Sequence, residues 1–279
     1  MKDRNRIGLG TVQFGTCYGI SNKNGQTKPQ EVTEILKLAS TEGIDLLDSA
    51  SGYGNSEEVL GENDLSKFKV VSKFLPPADG EGIVDQFQSS LAQLRINYLY
   101  GYLAHRPIML IEEPGQWEKL QILKEQGLVK KIGFSLNEPR ELHQLLEKGF
   151  LPDLVQVPFN YFDRRFQIEM KELRSIGCEI HTRSTFLQGL FFMDPSNLDS
   201  FYDEIKPLLV ILQKEKERLS SQLLKFVLDC PFVDKVILGV ENTEQLSENL
   251  KKWEPTKLPE IDLNISTNIL TPSSWPKKK

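Results

Sequence analysis

The fold is decided by a repeating unit that is clearest in residues 29–50, which read PQEVTEILKLASTEGIDLLDSA. Up to Ala39, its apolar residues recur every three or four positions, which is the spacing of one face of an α-helix. Gly43 stands where a left-handed residue ends a helix, and an apolar run follows at once. The segment therefore predicts an amphipathic helix, 29–42, followed by a strand, 44–47.

The same alternation extends outward in both directions. Apolar runs predict eight strands, at 7–10, 44–47, 70–74, 99–104, 131–134, 154–157, 179–182 and 236–238. Amphipathic stretches predict a helix after each, at 29–42, 56–61, 83–94, 117–125, 139–147, 165–175, 207–228 and 243–253. Strand–helix alternation predicts a parallel sheet, because parallel neighbours need crossover connections. Eight such units in a chain of 279 residues favour a closed TIM (β/α)8 barrel.

The barrel is expected to form one domain over 1–279. For the tail, 259–279, two alternatives stay open: packing across the barrel mouth, or disorder. An open doubly wound sheet that binds a dinucleotide usually carries GxGxxG after its first strand. Here residues 10–15 read GTVQFG, and no P-loop is present.

Composition narrows the function. The formal charge is −5, from 34 basic and 39 acidic residues that are mixed along the chain. This pattern does not indicate the basic patch that a nucleic-acid-binding protein usually has. The three cysteines are far apart and form no CxxC pair, so neither a metal site nor a disulfide framework is indicated. No apolar run is long enough to span a membrane, and the first six residues are too charged for a signal peptide. We expect a cytoplasmic protein with a solvated basic tail at 277–279.

Polar residues at the predicted strand ends indicate chemistry. Asp48 and Lys73 end the second and third strands, His105 follows the fourth, and Tyr53 lies in the loop after Asp48. In a barrel these ends meet on one face. Tyr53 could donate a proton to an alkoxide, a Lys73 cation would favour its phenolate, Asp48 would hold Lys73 charged, and His105 could polarise a carbonyl.

Each residue also has a structural interpretation. An Asp48–Lys73 pair could simply fill a barrel mouth. Lys73 could instead be the nucleophile of a Schiff-base lyase or aldolase, although a nearby Asp48 would keep it charged.

The four residues resemble the Asp-Tyr-Lys-His tetrad of the aldo-keto reductases. The stretch 43–50, GIDLLDSA, and the following Tyr53-Gly54, Glu57 and Leu60-Gly61 are similar to the family's diagnostic signature. The likeness extends from Gly8 to about Trp253. It implies a TIM barrel that reduces an aldehyde or ketone with hydride from NAD(P)H. Tyr53 would be the proton donor, and a small carbonyl compound, with sugar derivatives among the candidates, the substrate.

The resemblance also implies the binding residues. Cofactor contacts would come from the strand ends and the last two loops: Gly10, Thr11, Val12, Asp48, Ser135, Gln156, Arg183, Ser184, Leu187, Gly189, Gly239, Val240, Glu241, Asn242, Gln245, Glu248 and Asn249. Substrate contacts would come from Phe14, Tyr53, Phe74 and His105. Independently of the family, a helix starting at Thr243 after the last strand suggests an anion site.

Three departures bear on the details. Arg183 stands where the family often has an aromatic ring that stacks on the nicotinamide; it could stack there, or reach toward an anionic substrate. Leu136 replaces the asparagine after the fifth strand, with Asn137 as a candidate substitute. Glu241 stands where NADPH-binding members place Arg or Lys. Family bias puts NADPH first, with NADH as the alternative.

A second function stays open. Barrels of this family also serve as nucleotide-binding regulatory or partner subunits with little turnover, since a fold does not fix a function. The loops 14–26 and 191–202 are expected to set the substrate, and the sequence leaves the oligomeric state open.

Overall fold

The computed structural model describes residues 4–77, 82–251, 253, 258–260 and 264–276. Three sequence-based expectations concern residues outside these ranges. They are the charged start at 1–3, position 252 in the last predicted helix, and the basic tail at 277–279.

Eight parallel strands close into a barrel in the order in which they occur along the chain. The TIM-barrel prediction is therefore confirmed. The strands are β1 Ile7–Gly10, β2 Leu46–Asp48, β3 Lys69–Phe74, β4 Leu99–Ala104, β5 Val129–Ser135, β6 Leu154–Pro158, β7 Glu179–Arg183 and β8 Lys235–Gly239.

Helices cover the outside of the barrel and connect the strands. The α-helices are α1 Val12–Gly15, α2 Pro29–Thr41, α3 Ser56–Gly61, α4 Ile83–Leu94, α5 Met109–Glu112, α6 Gly115–Glu125, α7 Pro139–Glu147, α8 Gln167–Ser175, α9 Lys206–Leu212, α10 Lys216–Leu228, α11 Thr243–Asn249 and α12 Thr267–Leu270. Gly43, Gly127, Gly149 and Gly177, which follow α2, α6, α7 and α8, all have positive φ, as expected of left-handed residues after helix ends.

Two helices differ from the prediction. The single helix expected over 207–228 is two helices, α9 and α10, separated by a 3-10 turn at Gln213–Glu215. The side-chain amide of Gln213 donates to the carbonyls of Phe191 and Met193, which ties the break to a neighbouring loop. The last predicted helix corresponds to α11, which ends at Asn249 rather than at Trp253. The indole nitrogen of Trp253 donates a hydrogen bond of 2.8 Å to the carbonyl of Asn249.

Three apolar clusters hold the fold together. The main cluster lies between the barrel and its helices, and a small one, of Leu46, Val71, Leu103, Leu154 and Ile237, fills the barrel interior. A second large cluster joins the segments after β6 and β7 to α9 and α10. The described tail, 264–276, adds Ile265, Ile269, Leu270 and Trp275 to that cluster.

The inner cluster identifies which strand positions face inward. Val71 of β3 and Leu103 of β4 belong to it, whereas Val70 and Tyr102 belong to the outer cluster. Because side chains alternate between the two faces of a strand, Lys73 faces inward like Val71, and Phe74 faces the helices. The strand register then sets inward positions near the strand ends side by side, with Asp48 paired to Gly10 and Ser135 to Gln156.

A substitution at Gly133 tests this register. A Cβ there would lie 1.8 Å from the backbone oxygen of Leu154 on the neighbouring strand, which cannot yield without parting β5 from β6. We expect Gly133→Ala to lower the free energy of unfolding in urea by about 3 kcal/mol. Gly115→Ala, where a Cβ meets nothing within 4 Å, is the control and should change stability by less than about 1 kcal/mol. Equal stability of the two variants would contradict the proposed constraint.

Candidate active site

A buried ion pair lies at the carboxyl ends of β2 and β3. The ammonium of Lys73 is 2.7 Å from Oδ2 of Asp48, and neither side chain is more than 4% exposed. The same nitrogen donates to the carbonyl of Ser49 at 2.9 Å and to the hydroxyl of Tyr53 at 3.4 Å. All three ammonium protons therefore have acceptors, which fixes the position of the charge.

Asp48 is equally well satisfied. Its second oxygen, Oδ1, accepts a hydrogen bond of 2.7 Å from the amide of Gln156 across the barrel. Burial alone would lower the pKa of Lys73, but the charges and hydrogen bonds of Asp48 and Tyr53 hold that pKa above its usual value. The lysine is thus a permanent cation beside the tyrosine oxygen.

Close backbone contacts position Tyr53. Its amide donates to the carbonyl of Ala50 at 3.0 Å. A Cβ on Gly15 would lie 1.8 Å from the carbonyl oxygen of Tyr53, and Gly54 has a φ of 59°. Glycine at 15 and 54 thus lets α1 approach the tyrosine loop closely. The Tyr53 ring meets His105 edge-on, with the ring centroids 5.6 Å apart.

His105 is uncharged near neutral pH. Burial, together with the charges of Lys73, Arg183 and Arg106, lowers its pKa to about 3. Its Nδ1 is buried and has no hydrogen-bond partner among the residues that the structure describes. A neutral imidazole beside Tyr53 can donate a hydrogen bond to a substrate oxygen.

A cavity of about 700 Å³ opens beside this group on the same face of the barrel. Its size is in the usual range for small-molecule sites. It brings together most of the predicted binding residues, namely Gly10, Thr11, Val12, Asp48, Tyr53, Gln156, Arg183, Ser184, Gly189, Gly239, Glu241, Asn242, Gln245, Glu248 and Asn249.

Other predicted contacts lie elsewhere. Phe14 and Phe74, expected to touch substrate, are buried in the outer cluster between barrel and helices; Phe74 packs on Tyr102 at 5.0 Å. The substrate prediction for these two residues is corrected, and for Phe74 the reason is that it follows the inward-facing Lys73. Ser135, Leu187 and Val240 are buried and do not line the cavity, and His105 is half-buried beside Tyr53 without being one of the lining residues.

Several residues that line the cavity are not among the predicted contacts, although Tyr18 and Ser21 lie in the loop 14–26 that is expected to set the substrate. Tyr18 and Ser21, between α1 and α2, meet Gln188 after β7: the Gln188 amide donates to the Tyr18 hydroxyl at 2.9 Å, and the Ser21 hydroxyl donates to the Gln188 carbonyl at 3.2 Å. These contacts join two loops across the cavity. Glu217 and Ser220 of α10 also line it.

The backbone amides in and before α11 differ from the expected anion site. The backbone amide of Thr243, predicted to help bind an anion, donates to the carboxylate of Glu31 at 2.7 Å. The amides of Glu241 and Gln245 are likewise bonded, to the side chains of Gln245 and Asn242. These three donors therefore already have acceptors within the chain.

Arg183 also lines the cavity, and its charge, like that of Lys73, reaches His105. Its Nη2 donates to the carbonyl of Leu136 at 2.9 Å and to Oδ1 of Asn137 at 2.7 Å. Asn137 therefore contacts Arg183, while Leu136 is buried.

Comparison with known proteins agrees with this geometry. The model of the Aldo/keto reductase family matches residues 6–270. The chain belongs to this family. It is accordingly an NAD(P)H-dependent oxidoreductase, as the resemblance implied.

Individual relatives are distant. The uncharacterized oxidoreductase YqkF of Bacillus subtilis (strain 168) is 24% identical over 292 residues, covering 94% of this chain and 91% of that protein. Glyoxal reductase of the same organism is 29% identical over 170 residues, covering 57% of this chain and 59% of that protein. A solved structure of glycerol dehydrogenase from Gluconobacter oxydans has a TM-score of 0.69 at 20% identity, covering 90% of this chain and 88% of that one. At this sequence identity, the structural similarity supports the fold assignment alone.

Within the described residues, no helix is both long and apolar enough to cross a membrane. The same residues contain no group of three or more His, Cys, Asp or Glu side chains arranged to hold a metal ion.

The environment of His105 predicts its titration. Because its pKa is lowered to about 3, it gains a proton only when the pH falls far below 5, so its charge should not change between pH 5 and 8. Histidine ring resonances, assigned by comparison with His105→Gln, should show no His105 titration in this range by NMR. A midpoint between pH 5.5 and 7.5 would contradict the desolvated, cation-flanked site.

Proposed function

We propose that this aldo-keto reductase converts an aldehyde or ketone into an alcohol, with Tyr53 as the proton donor. The observation that carries the proposal is the 3.4 Å contact between the Tyr53 hydroxyl and the Lys73 ammonium. That ammonium is itself held by Asp48, and the group faces a cavity of ligand size.

The cavity suits a nicotinamide cofactor in its chemistry. Gln156, Asp48 and Tyr53 line it together with residues 10–12 and 184–185. When bound, the reduced nicotinamide supplies a hydride to the carbonyl carbon. The chain must then hold the carbonyl and deliver a proton to its oxygen.

The proton comes from Tyr53 in this proposal. As negative charge develops on the substrate oxygen, the hydroxyl of Tyr53 donates its proton, and the tyrosine oxygen becomes negative. The buried Lys73 ammonium stabilises that charge without rearrangement, because its position is already fixed by Asp48 and the carbonyl of Ser49. His105, being neutral, orients the carbonyl by hydrogen bonding rather than protonating it.

The alternatives explain less of the site. A Schiff-base lysine must be neutral to attack, whereas the pKa of Lys73 is raised and all its protons have acceptors. A nucleotide-binding subunit with little turnover would need the cavity but not the contact of Lys73 with Tyr53.

Tyr53→Phe tests the proton donor. Removing the hydroxyl should lower kcat by about 10²- to 10⁴-fold, the usual worth of a general acid, while NADH still binds in a fluorescence titration. Tyr98→Phe, at a half-exposed position at the start of β4, is the matched control and should keep its activity. If Tyr53→Phe turns over like the wild type, another group donates the proton.

The charge of the cavity favours NADH over NADPH, contrary to the family-based expectation. Four carboxylates line it beside α10 and α11, those of Glu217, Glu241, Glu244 and Glu248, and Arg183 is the one Lys or Arg among its lining residues in the part of the chain that the structure describes. A 2′-phosphate would meet like charges there. A ribose diol can instead donate hydrogen bonds to a carboxylate.

Glu241→Arg tests this preference. Replacing a repelling charge by an attracting one should increase the affinity for NADPH relative to NADH by about tenfold, equivalent to about 1.4 kcal/mol. The dissociation constants are measured by fluorescence titration, with Glu118→Arg, on the outer helix α6, as the control. An unchanged ratio would show that Glu241 does not face the 2′ position.

A further inference from the structure

Arg183 is a cation without an acidic partner. Arg140, Arg165 and Arg174 form ion pairs with Glu138, Asp163 and Asp234. Arg183, by contrast, forms no ion pair within the described residues. Its hydrogen bonds go to the neutral oxygens of Leu136, Asn137 and Ser184. Of the five N–H groups of a guanidinium, three are used in this way, so two have no acceptor in the described chain.

The three hydrogen bonds hold the guanidinium at the cavity wall. Two of them reach the residues that follow β5, which only β6 separates from β7, the strand that carries Arg183. The side chain is only partly exposed and lines the same cavity as Tyr53 and Asp48. A positioned, partly desolvated cation with free donors is a receptor for an anion.

The surroundings reinforce this positive field. Arg106 is exposed beside His105, and the charges of Lys73, Arg183 and Arg106 all reach that imidazole. The carboxylate of Asp48, which also lines the cavity, already binds Lys73 and Gln156 through its two oxygens. The four lining glutamates belong to α10, to α11 and to the loop before α11. The surroundings of His105, whose ring meets that of Tyr53, are therefore positive.

We infer that the natural substrate is a carbonyl compound carrying a carboxylate, and that Arg183 binds this carboxylate. The N–H groups left free, on Nε and Nη1, can each donate a charge-assisted hydrogen bond to a carboxylate oxygen. The inference rests on the proposed function, since it assigns Arg183 to the substrate of that same site. In a cofactor-stacking role, Arg183 would instead contribute to nucleotide affinity and treat acidic and neutral substrates alike.

The test compares isosteric pairs. The rates of reduction of 3- and 4-carboxybenzaldehyde are measured against the corresponding formylbenzamides, which have the same shape without the charge. The wild type should prefer at least one acid over its amide in kcat/KM. Arg183→Met should lower that acid-to-amide ratio by about 10- to 100-fold, the usual worth of a charge-assisted hydrogen bond. Arg183→Lys should fall between them.

Binding measurements make the result independent of turnover. The affinities of 3- and 4-(hydroxymethyl)benzoate and of their amides are measured by calorimetry, with NADH affinity determined separately. Arg140→Met, an exposed arginine on α7, is the control and should keep the wild-type acid-to-amide ratio.

Two outcomes would overturn the inference. One is a wild type without preference for either acid, in rate and in binding. The other is an Arg183→Met variant that loses NADH affinity while its acid-to-amide ratio stays the same, which would assign the arginine to the cofactor. Failure to bind NADH or to reduce any aldehyde would instead contradict the proposed function, and the calorimetric comparison would still decide the role of Arg183.

Discussion

The buried pair of Lys73 and Asp48 is the interaction on which the site depends. A lysine with no exposed surface would lose its proton if it were alone, because burial disfavours the charged form. Asp48 reverses this, and the pKa of Lys73 ends above its usual value. Such a pair adds little net stability, since desolvation offsets much of the attraction, but losing one partner is costly. Its consequence is functional: a fixed positive charge lies 3.4 Å from the Tyr53 oxygen, and the close approach of the Gly15 backbone to the Tyr53 carbonyl keeps the tyrosine there.

The barrel explains why so much of this site was readable in the sequence. In a closed parallel sheet, the last inward residue of every strand lies on one face, so finding the strand ends amounts to finding the site. Asp48, Lys73, Gln156 and Arg183 follow this rule. The same rule explains the misassigned phenylalanine on β3: Phe74 is adjacent to Lys73 and so points to the other side, where it packs on Tyr102. Phe14 lies in α1, a four-residue helix too short to leave a periodic pattern.

Pairings between distant polar residues could not be predicted. The contact of Tyr18 with Gln188 joins positions 170 residues apart, and that of Glu31 with Thr243 joins positions 212 apart. Nothing in the local pattern of a half-buried glutamate on α2 shows that it will accept hydrogen bonds from the first residue of α11. The break between α9 and α10 is of the same kind. Leu209 and Leu212 of α9 and Leu219 and Leu223 of α10 belong to one cluster. The apolar spacing therefore continues through the turn, which Gln213 ties to a neighbouring loop.

The cavity is lined by charges of both signs, and their placement has a physical consequence. Arg183 ends β7 and its charge reaches His105, whereas Glu217, Glu241, Glu244 and Glu248 belong to α10, to α11 and to the loop before α11. Exposed charges more than about 8 Å apart are largely screened at physiological ionic strength, while buried ones are screened less. An anion near His105 would therefore be attracted mainly by the half-buried Arg183. An extra phosphate beside α11 would instead be repelled by the glutamates. Substrate and cofactor selection can thus be set by different residues of one cavity, so changing one charge need not disturb the other choice.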